Sequence, residues 1–385
     1  MRRRRRRWSS DRVTNVCCSV PCFSVGTANR VLYKIALVPL GSYSQFMGFF
    51  VSSVYVCVYA VVMGTRRLLG IMPPGQASLP LHGARYAIYF LLIGLCDAVG
   101  YVLGVLTAGA IPGPLLPLLS QTLLPFTIIL SAITLGRVYS ISQLLSAAFV
   151  IGGVLISLVH SSHKSSSGGS HDKASLMGDL GAAVSPAKVL IFKLIYAGSS
   201  LFSALSFVLK EAIFARFAET THASLDVFVV SFHGSFAQLI FTFASLLLVS
   251  LPVFGGTKLS DLGHYFIDGF HCFAGTSPHP TDDCTGAPLA PLIYMAVNLG
   301  WNVALIFLLK HGSALFMFIG ISASIPLAEI AFAFSWPLLG ASPMHREYIY
   351  GLVLIMVGLV GYRVVSLMRE ARAVAGYRMK WTDCI

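Results

Sequence analysis

Residues Ser322–Gly340 read SASIPLAEIAFAFSWPLLG, an apolar stretch that carries Pro326 near its start and a glutamate, Glu329, in its middle. Residues Ser120–Gly136 read SQTLLPFTIILSAITLG, with almost the same layout. Each opens on serine, places a proline (Pro125, Pro326) a few residues in, runs on apolar and closes on Leu-Gly. A spanning helix needs roughly 20 apolar residues, so each stretch is close to one bilayer crossing. Proline removes a backbone donor and frees the carbonyl four residues back. In lipid such a carbonyl is tolerated only against protein or a wet cavity. Two matching helix breaks in one chain therefore point to paired cavity-lining helices of an internal repeat.

The whole chain supports a membrane reading. Of 385 residues, 56% are hydrophobic and 11% charged, with mean hydropathy +0.78. Soluble chains carry about 25% charged residues, so an ordinary soluble domain is excluded. Ten spans are expected. Val13–Ala28 is short and holds Asn15, Pro21 and three cysteines; a nine-span reading without it is the alternative. Phe46–Met63, Tyr86–Leu106, Pro112–Leu135 and Ser140–Val159 complete the first set. The second comprises Val189–Leu209, Val227–Val253, Leu289–Leu309, Ser313–Leu339 and Tyr348–Val365. The expected organisation is a basic N-terminus (1–12), a first repeat (13–159), a polar linker (160–186), a second repeat (187–366) and a basic tail (367–385). The second repeat includes a cysteine-bearing loop at 254–288.

With both ends cytosolic, nineteen of the 27 Lys and Arg fall on the cytosolic side and seven on the other, with Lys193 inside a span. This is the positive-inside pattern. Membrane topology thus explains the +12 net charge better than nucleic-acid binding does. The Arg2–Arg7 run reads as a topology anchor, with a transit peptide as the alternative.

Five is an odd number of spans, so the second set starts on the opposite face and the repeats are inverted. In each, the proline-broken span follows one bearing polar residues: Asp97 in the first, Asn298 and Asn302 in the second. Each also precedes a Gly-rich closing helix, VIGGVLISLV (150–159) and GLVLIMVGLVGY (351–362). The fold class expected is an all-α polytopic membrane protein, ten transmembrane helices in two inverted five-helix repeats. Such repeats build secondary transporters that bind solute at the repeat interface.

Asp97 and Glu329 read as the only carboxylates within spans, and intramembrane acids are functional candidates by default. A desolvated carboxyl can hold a proton, which suits proton coupling. For Asp97 a structural hydrogen-bonding role fits equally well. Ser120, Gln121, Gln238, Asn298, Asn302 and Ser322 are candidate neutral groups of a substrate cavity, with interhelical bonding as their plainer role. Cys272 and Cys284 share the loop on the non-cytosolic side, where disulfides persist, and a bridge is expected rather than free thiols. The loop begins SDLGHYFIDGF, whose Leu262, Tyr265, Phe266 and Phe270 have helical spacing and suit the membrane surface.

The motifs CDAVGYVLG (96–104), KEAIF (210–214), LDVFVVSFHGSFAQ (225–238) and DDCTGAPLAPLIYMAVNLGWN (282–302) resemble the chloroquine-resistance-transporter-like family of the drug/metabolite transporter superfamily. The resemblance runs from about Ala28 to Tyr362, and the cysteine loop is its most specific part. It implies a ten-helix carrier with a central cavity, moving small solutes out of an acidic compartment. The solutes implied are oligopeptides, amino acids, glutathione-like thiols and weakly basic drugs, with proton coupling in some members. Relatives include protozoan vacuolar carriers and plant plastid thiol carriers. A vacuolar or lysosome-like membrane is the first expectation and a plastid envelope the alternative. Departures stand out: the first helix, which the resemblance implies contributes to the cavity, is the weakest span here, only one disulfide can form in the loop, and relatives are apolar at the position of Glu329.

No cofactor or metal is expected, and the expected partners are a small-molecule substrate and the lipid bilayer, with the chain a monomer. A sugar-phosphate or nucleotide-sugar exchanger would need cavity cations, of which Lys193 reads as the only one within a span. A hydrolase is disfavoured by the absence of GxSxG, HExxH and a second intramembrane aspartate. A non-transporting scaffold is the remaining alternative.

Overall fold

A computed structural model of the chain describes residues 24–73, 75–163, 186–246, 258–280, 282–311, 317–318, 321–322, 324–340 and 346–382. These residues are mostly helical, and among them there is no β-strand beyond one isolated bridge between Trp336 and Gly340. The longer helices are α1 (24–36), α2 (Ser44–Leu68), α3 (Ala84–Ala108), α4 (Leu115–Leu135), α5 (Ile141–His163) and α6 (Pro186–Thr221), with short turns of helix at Leu79–His82 and Leu259–Asp261. They continue with α7 (Val227–Ala244), α8 (Leu262–Phe273), α9 (Leu289–His311), α10 (Ile325–Ala333) and α11 (Arg346–Thr382). Eight of them (α2 to α7, α9 and α11) are long and apolar enough to cross a membrane. The chain is an integral membrane protein. The polar linker expected at 160–186, Arg2–Arg7 and Cys17, Cys18, Cys22 and Cys384 lie essentially outside the described residues.

The first helix departs from the expected register. Arg30 and Lys34, read as loop residues after a span at 13–28, lie within α1. The reason is visible in GTANRVLYKIAL: Val31 and Ile35 pack with Ala290 and Phe332, while Lys34 turns inward. Lys34 is 5% exposed, and its Nζ donates to the carbonyls of Ala108 (2.8 Å), Gly109 (3.3 Å) and Ile111 (2.8 Å). A cation thereby bonds carbonyls at the C-terminus of α3, where the helix dipole favours positive charge.

Both proline-broken stretches change helical form just before the proline. In α4, Ser120–Thr122 tighten into a 3₁₀ turn ahead of Pro125. In the second copy Pro326 sits in the first turn of α10, after Ser324 as N-cap, where its missing N–H costs least. Both closing glycines take left-handed backbone, Gly136 at φ 61° and Gly340 at φ 69°, a conformation only glycine adopts at no steric cost.

α6 runs twelve residues past the expected end of its span. Ala212, Ile213, Phe214 and Phe217 are buried, so one face of the helix stays buried as far as Phe217, and only the last turn, AETT, is exposed. The consequence is a correction: Lys210 and Glu211, beyond the span end expected at Leu209, are helical, so Asp97 is not the only carboxylate in a helix long enough to span, while Glu329 stands in the nine-residue α10.

α5 packs along α11, α3 against α6 and α7, α2 against α7, and α4 against α6. Small residues allow the close approaches. A Cβ on Gly153 would stand 2.6 Å from Gly351 O, and one on Gly94 the same distance from Gln238 N. Outward positions at helical spacing stay apolar and exposed, among them Val353, Val357, Val360 and Val364 of α11, as a lipid-facing surface requires.

At one end of the bundle, Cys272 and Cys284 form the expected disulfide. Tyr265 and Phe266 of α8 pack on Tyr43, Phe46 and Phe49 near the start of α2, while Ile267 and Phe270 are exposed. Tyr43 donates to Asp282 Oδ2 at 2.6 Å. Burial pushes the Tyr43 phenol above its ordinary range and the bond to Asp282 pushes it further, so it stays a donor. At the opposite end Asp226 caps α7, accepting from Phe228 N–H at 2.8 Å, and pairs with Arg66 at 2.7 Å.

Candidate functional site

A cavity of about 390 Å³ lies between α1, α2, α3, α4, α6, α7 and α9, with Met317 and Ile321 completing its wall. It therefore draws on both halves of the chain. Its surface is rich in hydroxyls: Tyr33, Tyr55, Tyr59, Tyr101, Tyr196 and Tyr294 alternate with Ser52, Ser120, Ser199, Ser200, Ser203, Ser231 and Ser235. Such a lining supplies many neutral donors and acceptors on aromatic walls, suited to a small polar solute.

Five of the expected residues meet here: Asp97, Ser120, Gln238, Asn298 and Asn302 all line the cavity. Asn298 and Asn302, one turn apart on α9, form a chain. Asn298 Nδ2 donates to Tyr294 Oη (2.5 Å), Asn302 Nδ2 to Asn298 Oδ1 (2.7 Å) and to Tyr55 Oη on α2 (3.2 Å). Their roles as cavity surface and as interhelical link coincide. Asp97 is bonded to Lys210 Nζ at 2.7 Å, both side chains about one-fifth exposed or less. An ion pair of this kind holds two charges in a low-dielectric site at modest cost.

Gln121, Ser322 and Glu329 do not line the cavity. Ser322 Oγ donates to Gln121 Oε1 at 2.8 Å, both residues fully buried. Glu329, on α10, is 2% exposed, and neither carboxyl oxygen has a hydrogen-bond partner among the described residues.

Sequence reading missed Arg30. It lines the cavity beside Asn29 and Tyr33, and its Nη1 donates to Ser120 Oγ at 3.3 Å. The spacing of Asn29, Arg30 and Tyr33, all on one helical face, was the signal; a short span boundary hid it. Arg30 and Lys210 together correct the expectation that Lys193 is the only intramembrane cation. No group of metal-binding side chains occurs among the described residues.

The family profile described as CRT-like, chloroquine-resistance transporter-like, matches residues 16–362. The chain is 33% identical over 357 residues to Protein CLT2, chloroplastic, of Arabidopsis thaliana, covering 92% of this chain and 77% of that protein. It is 27% identical over 394 residues to Crt homolog 1 of Dictyostelium discoideum, covering 95% and 77%. To the Chloroquine resistance transporter of Toxoplasma gondii it is 28% identical over 400 residues, covering 98% of this chain and 42% of that one. With a helical bundle around a polar cavity and a match over most of its length, the chain belongs to the chloroquine-resistance-transporter-like family of transporters.

Proposed function

We propose that the chain is a secondary carrier that moves small solutes across an organelle membrane by alternating access, built as ten helices in two inverted five-helix repeats. The observation that carries this is the cavity itself, lined jointly by first-half and second-half helices, with Ser120 and Leu123 of the first proline-broken stretch in its wall and Ile321 just ahead of the second, although α10 itself does not line it. The cross-half packing of α5 on α11 and α3 on α6 supports the repeat reading, because inverted repeats bury their solute site at their mutual interface. Oligopeptides, amino acids, glutathione-like thiols and weakly basic drugs suit a hydroxyl-rich aromatic cavity that holds Arg30 and the Asp97–Lys210 pair. Proton coupling is assigned to Glu329 and Asp97. Three plant relatives at 33–34% identity are chloroplastic, which favours a plastid envelope over a vacuolar membrane.

The test is counterflow of labelled glutathione, an amino acid or a weak base into proteoliposomes, under an imposed pH gradient. Uptake that requires the gradient and is impaired by Glu329→Gln or Asp97→Asn is expected; wild-type rates in both variants would remove the coupling role. Arg30 and Lys210 give a second reading some support, a sugar-phosphate or nucleotide-sugar exchanger. Phosphate-driven exchange in the same vesicles would favour it. Asp97 neutralises Lys210, however, leaving Arg30 to face a phosphate dianion, so the first reading stands ahead.

A further inference from the structure

α1 lies against α10, with Val31 packed on Phe332 and Thr27 bonded to Ser324 O, and this brings the half-buried Arg30 and the buried Glu329 into one neighbourhood without an ion pair between them. Glu329 on α10 has both oxygens without a hydrogen-bond partner among the described residues, and Arg30 on α1 is the charge that acts on it. No ion pair closes between them. Arg30 instead points its Nη1 at Ser120 Oγ and borders the cavity. The other side chain acting on Arg30 is the phenol of Tyr196, a cavity residue of α6. The segment Leu115–Leu119 packed on α10 carries no titratable group, and Lys34 is engaged with backbone carbonyls. Within this pocket one guanidinium therefore faces a carboxyl on one side and the solute space on the other.

We propose that Arg30 is shared between Glu329 and an anionic group of the solute, so that a proton on Glu329 releases Arg30 to bind a carboxylate in the cavity. Ionised, Glu329 competes for the guanidinium at close range in a low-dielectric setting, where a second anion gains little. Protonated, it withdraws that competition, and the planar fork of Arg30 suits a carboxylate bidentately. Proton and anionic solute then load together, and loading improves as pH falls on the side facing the open cavity. The proposal rests on the carrier reading above and names the coupling element within that same site.

Reduced glutathione and its diethyl ester, which lacks free carboxylates, separate the outcomes in proteoliposomes. Wild-type protein is expected to prefer glutathione and to take it up faster at acidic pH. Arg30→Gln is expected to lower glutathione uptake about tenfold or more, as for a lost charged hydrogen bond, while ester uptake persists. Glu329→Gln, which mimics the protonated form, is expected to keep the preference and lose the pH dependence. If Arg30→Gln fails to fold because it strands Glu329, Arg30→Gln/Glu329→Gln removes both charges together and is expected to lose both preference and pH dependence. An Arg30→Gln protein that still prefers glutathione, or a Glu329→Gln protein with the wild-type pH profile, overturns the inference. Wild-type vesicles that move neither probe, nor any amino acid or weak base, sink the carrier reading instead and this inference with it.

Discussion

Ser322 Oγ donates a 2.8 Å hydrogen bond to Gln121 Oε1, joining the two proline-interrupted segments across the halves of the chain. Both residues are fully buried, so removing either strands its partner. A stranded buried polar group costs about 1–3 kcal/mol. Ser322→Ala and Gln121→Leu are each expected to lower the thermal unfolding temperature of the purified protein. The double variant should cost less than the two singles summed, since coupled pairs depart from additivity by about 0.5–3 kcal/mol. Simple additivity would show that the bond does not tie the segments together.

The Asp97–Lys210 pair borders the cavity, so a broken pair exposes an uncompensated charge to the solute. Asp97→Asn and Lys210→Met are each expected to slow uptake of labelled substrate. Destabilisation should be on the order of 1 kcal/mol, below that of a fully buried pair, because the cavity solvates part of the remaining charge. Asp97→Asn/Lys210→Met should recover thermal stability. Recovery of uptake as well would assign the pair to structure, and continued loss to solute handling.

Gly351 packs so closely on α5 that an added methyl meets Ser157 Oγ and Gly153 O. Gly351→Ala is expected to destabilise by about 1–3 kcal/mol, the usual cost of overpacking. Gly300 on α9 has nothing within 4 Å of the same position. Gly300→Ala should therefore be neutral or mildly stabilising, by up to about 1 kcal/mol from helix propensity. Unfolding curves of the two variants compared side by side check the α5–α11 seam directly.

Cys272 and Cys284 are separated by 12 residues, a loop whose closure is worth about 3 kcal/mol in the chain-entropy account. The paired variant Cys272→Ser/Cys284→Ser should loosen α8 and the Tyr43–Asp282 contact while sparing the spans. Limited proteolysis is expected to cut between Ala274 and Asp283 in the variant and in reduced protein, and not in the oxidised wild type.

Much of this molecule could be read from the chain, for reasons specific to particular stretches. Pro125 and Pro326 announced helix breaks because an absent N–H acts locally, whatever surrounds it. The disulfide was legible because both cysteines lie in one loop. Boundaries were harder: α1 and the end of α6 are set by tertiary burial of Val31, Ile35, Ile213 and Phe217, which apolar run length does not register. The side of the wall on which a residue falls was harder still. Ser120 and Gln121 are neighbours, yet one faces the cavity and the other bonds Ser322 behind it. Arg30 escaped notice because a charge just beyond an apparent span looks like a loop residue.

Lys34 gives α1 an unequal pair of moorings. Its three carbonyl bonds tether one end of the helix to the close of α3, whereas Thr27, near the other end, holds only Ser324 O at 3.2 Å. If the chain works by the alternating access proposed above, the Thr27 bond is expected to yield before the Lys34 bonds, and a T27C/S324C cross-link should arrest uptake where a cross-link at the Lys34 end would not. The cavity's arginine thus sits on a helix bound to both halves, through Lys34 to the close of α3 and through Val31 and Ile35 to Ala290 and Phe332, so any parting of the halves must break one of these two sets of contacts.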